Sequence, residues 1–147
     1  MPFYRCLIPK GSLSFEQRQK IATAFTDVHC GLSAAPRNFV NVAFLEVSGL
    51  EVSGGGQIAD SHGQGFLKYD TPYFIAGGNR AGRSPALKQQ ILEGLIDKFS
   101  EIGGVAKNEV SGHISEAPAS WTMEAGQILP DPGAESPEWF EHGAASG

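Results

Sequence analysis

The chain has 147 residues, 41% of them hydrophobic and 18% charged, with 19 Gly and 9 Pro. That fits one domain able to bury about two-thirds of its unfolded surface, and it excludes collagen, coiled coil and wholesale disorder. Eleven Lys and Arg against sixteen Asp and Glu give a formal net charge of -5, so no global basic field is present to hold a nucleic acid.

From Pro2 to Ile8 the residues Tyr4, Cys6 and Ile8 alternate with Phe3, Arg5 and Leu7, the period of a strand. Its apolar run is too short for a signal peptide or a membrane span. Ser14 then stands three residues before Gln17, the reciprocal pairing that opens a helix. The helix is expected to run to about Cys30, with Phe15, Ala22, Phe25, Val28 and Leu32 on its buried stripe and Gly31 as its left-handed stop. Phe39 to Val47 is dense in β-branched and aromatic residues and reads as a second, largely buried strand. Residues 49–65 carry too much glycine to pack alone and read as a flexible loop or a β-ribbon excursion.

Tyr73 to Ala76 resumes a strand pattern. Ser84-Pro85 supplies a helix cap with Pro at the first helical position, and Leu87, Ile91, Leu95, Phe99 and Ile102 mark that helix's buried face before Gly103-Gly104 ends it. Val110 to Ser115 is a short final strand, and residues 116–147 follow as an extended tail.

The two halves repeat strand, capped helix, strand. Strand starts at Pro2 and Tyr73 lie 71 apart, caps Ser14 and Ser84 lie 70 apart, and second strands at Phe39 and Val110 lie 71 apart. A constant offset argues for internal duplication of a β-α-β unit within one domain spanning 1–147, the units covering about 2–47 and 73–115. The expected fold is α+β, a four-stranded mixed sheet with two helices on one face. The sheet's other face also carries apolar residues, so oligomerisation is expected.

Several side chains are candidates for chemistry. Pro2 would become a secondary amine once Met1 is trimmed, with a reference pKa of roughly 7.7 to 8.0, near enough to neutrality for its surroundings to choose base or ammonium. Arg80 and Arg83, in N-R-A-G-R-S-P, straddle the turn before the second helix, where positive charge is unfavourable unless an anion compensates it. A carboxylate or phosphate is the expected partner. His29 falls near the buried stripe of the first helix, His113 lies on the last strand, and Glu124 sits in a segment with few other charges. Each of these three is by residue type either a local hydrogen-bonding group or an acid or base.

His62 and His142 lie in the regions read as flexible, and the four histidines show no ligand spacing such as H-x-x-x-H, so no metal is expected. Gly54-Gly55-Gly56 is followed by no G-K-[ST], so nucleotide binding is unsupported. Cys6 and Cys30 lack C-x-x-C spacing, and a reducing cytoplasm is the expected setting.

Pro2, T-D-V-H-C-G-L around His29, F-V-N-V-A-F-L-E, N-R-A-G-R-S, E-A-P-A-S-W-T-M-E-A-G-Q-I-L-P-D-P-G and E-W-F together resemble the tautomerase superfamily, and within it the cis-3-chloroacrylic acid dehalogenase group. The resemblance spans most of the chain. It implies a homotrimer, no cofactor, and a pocket where the proline amine faces a small carboxylate substrate. By the same resemblance Pro2 is the acid or base, Arg80 and Arg83 clamp the carboxylate, His29 is a further substrate contact, and Glu124 activates water. His113 departs from the group, standing eleven residues before Glu124 where the group has a tyrosine.

Two reactions fit one such pocket. With Pro2 protonated, Glu124 and His113 would drive water onto an unsaturated acid and Pro2 would protonate the α-carbon, a hydration that covers cis-3-haloacrylate dehalogenation as a variant. With Pro2 as free base, it would move a proton from enol oxygen to carbon in a 2-hydroxydienoate or arylpyruvate. A non-catalytic trimeric binding protein of the same fold is the alternative of another class.

Overall fold

A computed structural model describes residues 2–47, 52–54, 57–59 and 71–145. Strand β1 (Phe3–Pro9) leads to helix α1 (Phe15–Ser33), a 3-10 turn at Arg37–Phe39 and strand β2 (Asn41–Val47). The short strands β3 (Val52–Gly54) and β4 (Gln57–Ala59) pair antiparallel, so part of the glycine-rich stretch is a β-ribbon, and the rest of it, with His62, lies outside the described residues. Met1, whose trimming is expected, is outside them too. Strand β5 (Tyr73–Arg80), helix α2 (Pro85–Gly103) and strand β6 (Val110–Ala117) repeat the first unit. Corresponding elements start at Phe3 and Tyr73, at Phe15 and Pro85, and at Asn41 and Val110.

The sheet order is β2-β1-β5-β6. β1 runs parallel to β2, β5 parallel to β6, and the units meet where β1 and β5 pair antiparallel, Tyr4 opposite Gly77 and Cys6 opposite Ile75. The mixed sheet of the expected α+β fold is thus present. Tyr4, Cys6 and Ile8 bury one face of β1 in a core with Ile75, with Ile21 and Phe25 of α1, and with Ile91, Leu95 and Phe99 of α2. The opposite face, where alternation puts Phe3, Arg5 and Leu7, is covered by neither helix, and there the Arg5 guanidinium lies 4.4 Å over the Phe3 ring.

Local chemistry explains both helix starts. The Ser14 hydroxyl accepts from the Gln17 amide at 3.1 Å while Gln17 Oε1 accepts from the Ser14 amide at 2.9 Å. At α2 the Ser84 hydroxyl accepts from the Leu87 amide, with Pro85 at the first turn.

Some expectations need correction. α1 passes through Gly31 and ends at Ser33, and Ala34 takes the left-handed cap at φ 57°. Its buried residues are Ile21, Phe25 and His29, whereas Phe15 is 75% and Leu32 40% exposed, Leu32 in the lining of an open cavity. β2 begins at Asn41 rather than Phe39 and is mostly half-buried or exposed, because it is the sheet's edge and has one neighbour. β6 continues to Ala117. The segment expected to be a tail carries the antiparallel pair β7 (Met123–Glu124) and β8 (Gln127–Ile128) and a helix, α3 (Pro137–Ala145). No helix among the described residues is long and apolar enough to cross a membrane.

Candidate active site

Three of the expected residues converge on one cavity of about 340 Å³, lined by Pro2, Arg80 and Arg83. Pro2 is buried just ahead of β1, where its carbonyl accepts the Asn41 amide at 3.0 Å and ties it to β2. Arg80 ends β5, and Arg83 lies in the turn before α2. The apolar wall comes from Leu32, Phe39 and Leu87, and from Trp139 and Phe140 of α3.

The two arginines are not equivalent. Arg80 donates through Nη1 to the Pro130 carbonyl and through Nη2 to Glu135 Oε1 at 2.7 Å, and the two charged side chains are 9% and 11% exposed. The Trp139 ring lies 5.0 Å from the same guanidinium and 4.5 Å from the Phe39 ring, edge to face. Burial raises the Glu135 pKa, but its bonds from Arg80 and from the Gly133 amide outweigh that and hold the carboxyl below its ordinary value.

Arg83, in contrast, donates only to the Arg80 carbonyl, at 3.4 Å, and no carboxylate pairs with it among the described residues. Its pKa is lowered by burial and by the like charge of Arg80. It is a cation held half out of water with no salt-bridge partner among the described residues, although Glu116 and Glu135 lie near enough to act on its charge.

His29 does not line the cavity. It is fully buried, with Nδ1 2.6 Å from the Tyr4 hydroxyl. Burial, and then the charge of Arg83, drives its pKa down from 6.5 to about 4, so the imidazole is neutral near pH 7. Burial likewise pushes the Tyr4 phenol up to about 12, with the charge of Arg83 among the effects pulling the other way. Assigning the phenol as donor to Nδ1 places the imidazole hydrogen on Nε2. His29 Nε2 and both polar side-chain atoms of Asn79 are buried without a hydrogen-bond partner among the described residues.

Glu124 and His113 of this chain fall outside the cavity's lining. Glu124 belongs to the β7-β8 pair, opposite Gln127. His113 is exposed on β6, its ring 5.3 Å from that of Phe74. Sequence reasoning missed Glu135 and Trp139 as site residues. Glu135 is 55 residues from the arginine it neutralises, and no local spacing announces such a partner. Among the described residues no group of three or more His, Cys, Asp or Glu is placed to hold a metal ion.

A family model, Tautomerase_3, described as "Putative oxalocrotonate tautomerase enzyme", matches residues 1–144. No curated protein matches. The crystal structure of native Ps01740 is 34% identical, covering 83% of this chain and 99% of that one, with a TM-score of 0.69. N1, a member of the cis-3-chloroacrylic acid dehalogenase family, is 23% identical over 97% of this chain and 99% of that one, with a TM-score of 0.75. The F6 fused 4-OT, an asymmetric trimer, is 18% identical over 86% of this chain and 94% of that one, with a TM-score of 0.69. The last two likenesses are likenesses of fold.

Proposed function

The chain belongs to the Tautomerase_3 family, and from that membership we propose that it is a cofactor-independent tautomerase of small enol or 2-oxo carboxylates, with Pro2 as the proton carrier. The observation that carries this reading is one cavity lined by both Pro2 and an arginine, Arg83, that lacks a carboxylate partner among the described residues. Arg83 takes the substrate carboxylate, and Arg80 beside it is held by Glu135. His29 supports the site from the core as a neutral imidazole next to Arg83.

Charge selects the role of Pro2. The nearby acid, Glu135, is balanced by Arg80, and His29 is neutral. Arg83 is the cation here without a carboxylate salt bridge among the described residues, and a nearby cation favours the free amine. A free amine takes the proton from the enol oxygen and returns one to carbon, leaving a ketone with no net proton change. Hydration or dehalogenation also needs a water activator, and Glu124 and His113 lie outside this cavity's lining. Tautomerisation is the better supported reaction.

A homotrimer belongs to the same proposal, supported by the sheet face that neither α1 nor α2 covers and by the trimeric assembly of the F6 fused 4-OT. His113 lies on β6 in the same phase as that uncovered face, so a second copy would meet it.

The test is ketonisation of the enol of phenylpyruvate by wild type and by Pro2→Ala, after intact mass has verified that Met1 is absent. The expected result is a loss of at least a hundredfold in kcat/KM. Equal rates would sink the proposal.

A further inference from the structure

Arg80 has its charge committed: Glu135 pairs with it, and the two side chains are 9% and 11% exposed. Two of its five N–H groups go to Pro130 and Glu135, and the Trp139 ring lies beside the guanidinium. The second carboxylate oxygen of Glu135 accepts the Gly133 amide at 2.7 Å, so the acid is fixed from both sides and cannot swing away without stranding a nearly buried guanidinium. The cavity therefore presents one cation with no carboxylate salt bridge among the described residues, Arg83, together with the Arg80–Glu135 pair and an apolar wall of Leu32, Phe39, Leu87 and Phe140.

We propose that Glu135 is a specificity-determining residue: by withdrawing Arg80 from substrate it makes the pocket select monocarboxylates with an apolar or aryl tail and reject dicarboxylates. This rests on the tautomerase reading for its substrates, but the selectivity itself is a property of the pocket. One carboxylate is met by Arg83. A second would have to lie against apolar side chains or near the Glu135 carboxylate, where lost hydration and like charge oppose it. A cavity of about 340 Å³ is of the size that encloses a small aryl acid.

Two measurements decide it. On the wild-type protein, cinnamate and muconate are compared as ligands by calorimetry, a pair that differs in an aryl group against a second carboxylate. Cinnamate should bind at least tenfold more tightly, and equal or tighter muconate binding overturns the proposal. Because this reads binding alone, it stands even if Pro2→Ala proves as active as wild type and the tautomerase reading fails. The second measurement compares kcat/KM for phenylenolpyruvate and 2-hydroxymuconate. Glu135→Gln should move that ratio at least tenfold toward the dicarboxylate, and Glu135→Asp should stay near the wild-type ratio. An unchanged ratio in a folded Glu135→Gln protein overturns the proposal, and if that variant does not fold, the wild-type binding comparison decides alone.

Discussion

The Tyr4 hydroxyl lies 2.6 Å from Nδ1 of His29, inside the core and across 25 residues of sequence. The bond joins the first strand to the carboxyl-terminal turn of α1, and Arg83 is near enough to both rings to shift their pKa values. Removing the phenol oxygen leaves a buried imidazole nitrogen without its partner. Tyr4→Phe should therefore lower stability by about 1–3 kcal/mol, read as a drop in the urea midpoint at unchanged slope.

The same pair sets an acid limit. His29 has a folded pKa of about 4 against 6.5 for the free side chain, so the unfolded chain takes up the proton first. The stability contributed by the neutral imidazole is complete above about pH 6.5 and is lost as pH falls toward 4, up to about 3 kcal/mol. Urea melts between pH 7.5 and 4.5 should show this loss, and His29→Gln should flatten it. An equally steep loss in that variant would assign the effect to other groups.

Gly77 faces Tyr4 across the β1-β5 pair. A Cβ built there would lie 2.9 Å from Tyr4 Cε1, closer than side-chain carbons approach one another, and 3.3 Å from Ile114 Cγ1. Gly77→Ala should cost about 1–3 kcal/mol, since the ring it displaces is fully buried. A melting temperature at or above wild type would show that the core can yield here.

Arg83 should divide activity from stability. Its loss removes a charge-assisted contact to the substrate carboxylate, so Arg83→Gln should reduce kcat/KM by about 10- to 100-fold. The folded protein loses no ion pair, because no carboxylate pairs with Arg83 among the described residues. Thermal stability should be unchanged or higher, as expected where a charge is kept for function rather than folding. A large stability loss with intact kcat/KM would make Arg83 a structural residue.

Leu45 is 45% exposed on β2, in the phase of the uncovered sheet face. A charge placed there should weaken association if that face joins copies of the chain. Sedimentation of Leu45→Glu should show smaller species than wild type at the same concentration, and an unchanged distribution would move the interface elsewhere.

Much of the fold was legible in the sequence. The capping box at Ser14, the Ser84-Pro85 start and the alternation of β1 are written in residues a few positions apart, because they are made by neighbours in the chain. That Pro2 would share a pocket with Arg80 and Arg83 was implied by the family resemblance and by no local spacing; one cavity is lined by all three. Periodicity named the face of α1 correctly around Phe25 and failed at Phe15 and Leu32, because spacing says which side of a helix is apolar but not which of its turns the rest of the chain covers. The burial expected of β2 failed for a related reason: a run of β-branched residues does not announce whether its strand is central or at the edge.

By itself the sequence determined the repeated β-α-β plan, the helix caps and the presence of an unusual pair of cations at the head of α2, since short-range hydrogen bonding and side-chain alternation are local. Only the tertiary structure decided which cation is available. Glu135 reaches Arg80 through a carboxy-terminal segment that folds back to the cavity, and His29 loses its charge because the core closes around it. Both outcomes depend on how much water and which charges surround a group in space, and those neighbours come from distant parts of the chain.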